Sequence, residues 1–274
     1  MSERVAVRKT YKLFIGGKFP RSESGRSYLV QDSNVSLASR KDARDAVVAA
    51  RAAVKGWAGA TAYNRGQILY RVAEMLEGRR EQFVALGVPA DEVDAAIDRW
   101  VWYAGWADKL AQVYGGANPV AGPYFNLSAP EPTGVVAVVA PEAPALLGLV
   151  SVIAPAIVTG NTVVVAASPA APLAAVTLAE VLATSDLPGG VVNILTGKIT
   201  ETAPTLAAHM DVNAVDLTGV ADAELAAELE VKAAENLKRV LRPAPADHDW
   251  HTDPGLTRMT TLLETKTVWH PKGV

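Results

Sequence analysis

Apolar positions in the first third of the chain recur at helical spacing. Ala46, Val47, Ala50, Val54 and Trp57 share one face of a segment that the spacing predicts as a helix over Ala43–Trp57. Ser39 and Asp42 stand three apart just before it, the pattern by which a hydroxyl and a carboxylate satisfy the free N–H groups of a helix start. A second helix is predicted over Ala62–Glu77, with Ile68, Leu69, Val72, Met75 and Leu76 inward and Gly78 as its stop. A third runs from Asp91 to about Leu110, and its Trp100, Trp102, Tyr103 and Trp106 read as packing residues. Ahead of the helices, Leu13–Phe19 reads as a hairpin around Gly16-Gly17, and Tyr28–Val30 as a further strand.

From Gly134 the pattern alternates. Strands are predicted at Gly134–Val139, Thr162–Val165, Val191–Leu195, Ala214–Leu217 and Lys238–Leu241. Between them lie helices at Leu146–Val158, Leu173–Ala183, Ala203–His209 and Ala223–Asn236. Short strands separated by helices indicate an α/β fold with a parallel sheet. After Arg242 the character changes: Pro243, Pro245 and the polar run Asp247–Asp253 predict a loop. Met259–Trp269 then reads as one long strand, which must pair with a strand already built or with another chain. No charge occurs from Ala143 to Ala179, a run longer than a bilayer requires. Pro144, Pro155, Pro169, Pro172 and Gly160-Asn161 break it up, and a buried parallel strand is also continuously apolar, so no membrane span is expected.

Composition narrows the chemistry. The 274 residues contain no cysteine, which excludes disulfides, thiolate metal sites and thiol nucleophiles within them. The net charge of −3 comes without a dense basic run, so neither nucleic acid nor an anionic membrane is an expected partner. Met1-Ser2-Glu3-Arg4 does not look like a secretory signal, and the expectation is a cytoplasmic protein. Asp247-His248-Asp249-Trp250-His251-Thr252-Asp253 carries metal-ligand types at short spacing, but a polar loop rarely fixes their geometry. It reads as a solvated loop anchored by Trp250, and no metal is expected. Glycine-rich phosphate loops and the Gly-x-Ser-x-Gly elbow do not occur. His209 reads as structural, His270 as a surface residue, and Glu142 as a solvated or ion-paired acid at the sheet's carboxyl edge.

Several stretches resemble, in order, the aldehyde dehydrogenase superfamily. They include Phe14-Ile15-Gly16-Gly17-Lys18, Tyr103-Ala104-Gly105-Trp106-Ala107-Asp108-Lys109, Pro132-Thr133-Gly134-Val135-Val136 and Gly160-Asn161-Thr162-Val163-Val164. Leu187-Pro188-Gly189-Gly190-Val191-Val192-Asn193, Leu217-Thr218-Gly219, Asn236-Leu237-Lys238-Arg239-Val240 and Glu264-Thr265-Lys266-Thr267-Val268-Trp269 continue the series. More narrowly, the chain resembles the Cys-free C-terminal copy of the fold in two-part aldehyde dehydrogenases.

The resemblance implies a Rossmann-like, mostly parallel five-stranded sheet with N-terminal helices and a small β oligomerisation flap. Residues 1–122 and 132–245 would form the cofactor-domain-like unit, and 123–131 with 256–274 the flap. Only about fifteen residues separate the last cofactor-domain strand from the flap strand, where the family inserts its catalytic domain. The family's chemistry requires a cysteine thiolate that attacks the aldehyde. Its oxyanion-binding asparagine, in Pro-Trp-Asn-Phe-Pro, is matched here by Ala143. The lysine and glutamate that hold the adenosine ribose are matched by Ala166 and Pro169. The serine that meets the pyrophosphate is matched by Val220, and the following glycine by Glu224. The general-base segment is matched by Leu241-Arg242-Pro243-Ala244.

The expectation is therefore a pseudoenzyme without cofactor that serves as an assembly subunit. Its partner would be a catalytically complete aldehyde dehydrogenase chain, or a second copy in a homodimer through the C-terminal strand. The interface residues would be Leu263, Thr265, Lys266, Thr267, Val268 and Trp269. The alternatives are an NAD(P)-dependent aldehyde oxidoreductase and a nucleotide-binding regulatory module.

Overall fold

The computed structural model describes Val5 and residues 8–273. A three-stranded sheet comes first: β1 (Thr10–Tyr11), β2 (Ser27–Val30) and β3 (Ser33–Ser36), in the order β1-β3-β2. Helices α1 (Arg40–Gly59), α2 (Ala62–Glu77), α3 (Arg80–Ala85), α4 (Ala90–Trp106) and α5 (Leu110–Tyr114) follow. Strands β4 (Gly116–Asn118) and β5 (Tyr124–Pro132) lead into the alternating half. That half comprises β6 (Val135–Val139), α6 (Leu147–Val158), β7 (Thr162–Ala166), α7 (Pro172–Leu182), β8 (Val192–Leu195), α8 (Ile199–Ala208), β9 (Ala214–Asp216), α9 (Ala223–Ala234) and β10 (Arg239–Leu241). Helix α10 (Thr257–Thr261) and strand β11 (Leu263–Pro271) complete the series.

The five alternating strands form one parallel sheet in the order β10-β9-β6-β7-β8. Side chains alternate across it, as the pleat requires. Val136 and Val138 enter a core shared with α2, α4, α6 and α7, while Val135, Ala137 and Val139 enter one shared with α1, α8 and α9. Burial on all sides explains why β6, β7 and α6 read as uncharged, almost wholly apolar runs, interrupted only by Ser151 and Thr162. Among the described residues no helix is long and apolar enough to cross a membrane.

Local signals act where the sequence places them. Ser39 Oγ accepts from the N–H groups of Lys41 and Asp42, and Asp42 Oδ2 accepts from Ser39 N at 2.8 Å. Gly16 and Gly17 take φ values of 61° and 78°, closing the turn between Ile15 and Lys18. Phe14 then exchanges two backbone hydrogen bonds with Ile194, docking the hairpin on β8, the edge strand of the large sheet.

Two expectations change. Met259–Trp269 is not one strand: residues 257–261 turn as a helix, and the extended run starts at Leu263 and continues to Pro271. Met259 and Leu262 lie three apart and are both buried, so a helical turn puts both into the core beside α6, which alternation could not. The third helix ends at Trp106, and Leu110 begins a separate short helix.

The flap is a three-stranded antiparallel sheet in the order β11-β5-β4. All nine residues of β11 pair with β5, from Leu263 opposite Pro132 to Pro271 opposite Tyr124. Arg239 on β10 ties it to the large sheet by a two-pronged ion pair with Glu264, at 2.8 and 2.7 Å.

Candidate functional site

Five parallel strands deliver five loops to one edge of the sheet, the carboxyl edge where α/β folds hold ligands. The positions singled out in the sequence meet there. Ala143 lies after β6, Ala166 and Pro169 at and after β7, and Val220 and Glu224 after β9. Ala166 and Val220 are buried, whereas Ala143, Pro169 and Glu224 are exposed. The sheet order reverses between β6 and β9. At that point the two loops touch, for a Cβ on Gly219 would come within 2.0 Å of the Ala140 carbonyl oxygen.

Helix N-termini at this edge would be the seats for phosphate. Both of those nearest the reversal already hold a carboxylate of the chain. Asp222 Oδ1 accepts from Glu224 N at 2.9 Å and Leu225 N at 3.3 Å, capping α9. Glu224 adds a second negative charge in the same turn. At α6, Oε1 of Glu92 accepts from Leu146 N at 2.6 Å and Leu147 N at 3.1 Å. Glu92 reaches there from α4 and is itself buried. The sequence reading missed both acids. The signal for Asp222 was an acid just before a helix; for Glu92 it was a carboxylate on the apolar face of α4.

The loop that follows β10 folds back over this edge. Ala244 N donates to Thr218 O at 3.2 Å. Further on, the Arg99 guanidinium donates to the carbonyls of Trp250 and Thr252 at 2.6 and 3.0 Å and to Ser151 Oγ at 3.2 Å. Arg258, from α10, bridges Asp216 Oδ2 and Thr218 Oγ1, both at 3.0 Å, with its guanidinium over the Trp250 ring. A cavity of only about 50 Å³ remains beneath the loop. Beside it the Tyr103 hydroxyl is buried without a partner, and burial pushes it up to about 12. Trp250 is buried, as an anchor should be.

Other candidates stay apart. Asp249 and Asp253 spend a carboxylate oxygen each on local turns, to His251 N and Gly255 N. Among the described residues no three His, Cys, Asp or Glu are grouped to hold a metal. His209 caps the end of α8, its Nδ1 accepting from Asp211 N, and burial lowers its pKa. Glu142 and His270 are exposed. A groove of about 900 Å³ runs along α1, α8 and α9, with Arg40 and Arg44 on one side and Glu224 and Glu228 on the other.

The arrangement defines a Rossmann-like sheet with a β flap. Residues 31–242 match the family described as "Aldehyde dehydrogenase family". The mitochondrial aldehyde dehydrogenase of Sus scrofa is 33% identical over 241 residues, which is 79% of this chain and 45% of that protein. The cytosolic 10-formyltetrahydrofolate dehydrogenase of Mus musculus is 32% identical over 79% of this chain and 26% of its own length. Among solved structures, the NAD+ complex of aldehyde dehydrogenase from Bacillus cereus superposes with a TM-score of 0.80 at 27% identity, covering 85% of this chain and 50% of that one. The chain belongs to the aldehyde dehydrogenase family and spans half or less of the length of these relatives.

The residues present do not fit a nicotinamide dinucleotide. Two acids crowd the α9 N-terminus where a pyrophosphate would need amide donors, and Ala166 and Pro169 offer no side-chain donor or acceptor for ribose hydroxyls.

Proposed function

We propose that this chain is a non-catalytic aldehyde dehydrogenase homologue acting as an assembly subunit of a catalytically complete aldehyde dehydrogenase. The observation that carries the reading is the free edge of β11. Lys272 N donates to Pro123 O and Thr133 N to Leu262 O, so even-numbered residues of β11 bond inward to β5. The backbone groups of Leu263, Thr265, Thr267 and Trp269 then point outward along an edge strand. Long unpaired edges accept another strand. A sheet edge on the partner, extended by β11, matches this geometry.

The absence of cysteine, the carboxylates at both helix starts and the loop over the carboxyl edge support a role without turnover. The test is light scattering on the pure chain and on mixtures with full-length aldehyde dehydrogenases from the same source. A larger mixed species supports the reading. No mixed species with any candidate, or turnover of an aldehyde by the pure chain, overturns it. Calorimetry with NAD and NADP separates it from a nucleotide-binding module, which would give saturable heats.

A further inference from the structure

Four parts of the chain converge on the small cavity beneath the loop that follows β10: α4, α6, α10 and the loop itself. They bring a surplus of hydrogen-bond donors. Arg99 of α4 is 8% exposed, and its three hydrogen bonds go to Ser151 Oγ and the carbonyls of Trp250 and Thr252, none to a carboxylate. A guanidinium carries five N–H donors. Arg99 therefore keeps its Nε proton and one on Nη1 in reserve. Arg258 of α10 spends only Nη1, on Asp216 and Thr218, and its Nε and Nη2 have no acceptor among the described residues. Ser151 of α6 is 1% exposed and accepts from Arg99, while its own hydroxyl proton has no acceptor among the described residues. All three side chains line the cavity. The Tyr103 hydroxyl, near enough to feel both guanidiniums, is a further buried donor without a partner.

The buried charges do not balance. Asp216 neutralises Arg258 at 3.0 Å, which leaves Arg99 as a buried cation, its pKa lowered by burial. A buried ion without a counter-charge is costly. Asp249 and Asp253 also border the cavity, but both are exposed to water, and each turns a carboxylate oxygen to an amide of its own loop. The cavity volume of about 50 Å³ exceeds the roughly 10–15 Å³ that one water requires. We propose that it holds one small monovalent anion, of halide size, between Arg99 and Arg258. There the anion accepts from the two guanidiniums and from Ser151, and its charge offsets Arg99. It also ties the loop to α4, α6 and α10, so that the cover over the sheet's carboxyl edge is firmer with the anion than without it. The proposal does not rest on the assembly reading, which uses the edge of the flap.

The test is a set of melting curves on the pure full chain at fixed ionic strength, with sodium chloride exchanged for sodium gluconate, whose anion is too large for the cavity. Chloride should raise the melting temperature by a few degrees along a saturating curve, as a ligand of the folded state does, and gluconate should not. Ser151→Ala removes one donor and should move the chloride midpoint up about fivefold. Arg99→Lys keeps the charge but loses the planar fork, and should move it up about tenfold or more. A crystal grown in bromide locates the ion without any variant, even if Arg99→Lys fails to fold. The expected anomalous peak lies between Arg99 and Arg258. Melting temperatures that are equal in chloride and gluconate would overturn the proposal. So would a chloride effect untouched by Ser151→Ala and Arg99→Lys, or a cavity filled by water while bromide sits elsewhere. A bromide peak at this place without saturable stabilisation would mean an adventitious ion only, and the site would be withdrawn.

Discussion

Arg258 and Asp216 form an ion pair at 3.0 Å across the join between the flap and the parallel sheet. Asp216 closes β9 and is buried; Arg258 sits on the short helix just before β11. Thr218 shares both partners, giving its N–H and hydroxyl to Asp216 and accepting from Arg258. The carboxylate is thus matched by three donors, which is what makes its burial tolerable. Arg258→Met should destabilise the chain by about 3 kcal/mol in urea unfolding, because it leaves a buried charge without its counter-ion. Asp216→Asn should cost less, since the amide oxygen still accepts from Thr218. Equal, negligible losses for both variants would show that the pair does not hold the join.

The two carboxylates at helix starts make separate predictions. Glu92→Ala strands the N–H groups of Leu146 and Leu147 in a buried position, at a cost of about 2–3 kcal/mol. Glu92→Gln keeps one acceptor and should lose about half of that. Asp222→Ala removes an exposed cap worth about 1 kcal/mol. Combined with Glu224→Gly it also uncovers the α9 N-terminus, and phosphate titration should then show millimolar binding absent from the unaltered chain. Phosphate binding of equal strength before and after the change would mean that these acids do not guard the site.

How far the sequence led depended on whether a feature was local. Ser39 and Asp42, Gly16-Gly17 and the stop at Gly78 act through their own neighbours, and each stands where its spacing placed it. The five sheet strands were legible because β6, β7 and β8 are buried on both faces and, apart from Thr162 and Asn193, apolar. Met259 misled because Thr and Met tolerate either conformation, and its burial against α6 is a tertiary fact. Glu92 was invisible because its partners lie 54 and 55 residues away. The positions matched to the family's cofactor contacts could be read singly; that Asp222 caps the start of α9 required the helix start in three dimensions.

Acid should loosen the flap. The hydrogen bonds and charge of Arg239 hold the Glu264 carboxyl below its ordinary range. A carboxylate depressed in the folded state adds stability above its unfolded pKa, and that stability drains away as pH falls through the folded value. Melting temperatures taken from pH 7 down to pH 3 should therefore decline below about 4.3, the unfolded glutamate value. Glu264→Gln should lower the neutral-pH melting temperature slightly and flatten the decline. The pair is half exposed, so the change is small and should shrink in high salt. An unchanged slope in Glu264→Gln would assign the acid sensitivity elsewhere.

The strand-addition reading depends on backbone atoms, so proline tests it more cleanly than side-chain changes. Proline lacks an N–H and is tolerated in an edge strand only where that N–H faces outward. Thr267 is such a position, whereas Val268 donates inward to the ladder with Leu127. Thr267→Pro should keep the melting temperature within a few degrees and abolish co-elution with the partner enzyme. Val268→Pro should unzip β11 from β5 and lower the melting temperature outright. Thr267→Ala, which removes the side chain and keeps the N–H, should retain the partner. If Thr267→Pro still binds while Thr267→Ala does not, recognition runs through side chains, and β11 does not add to a neighbouring sheet.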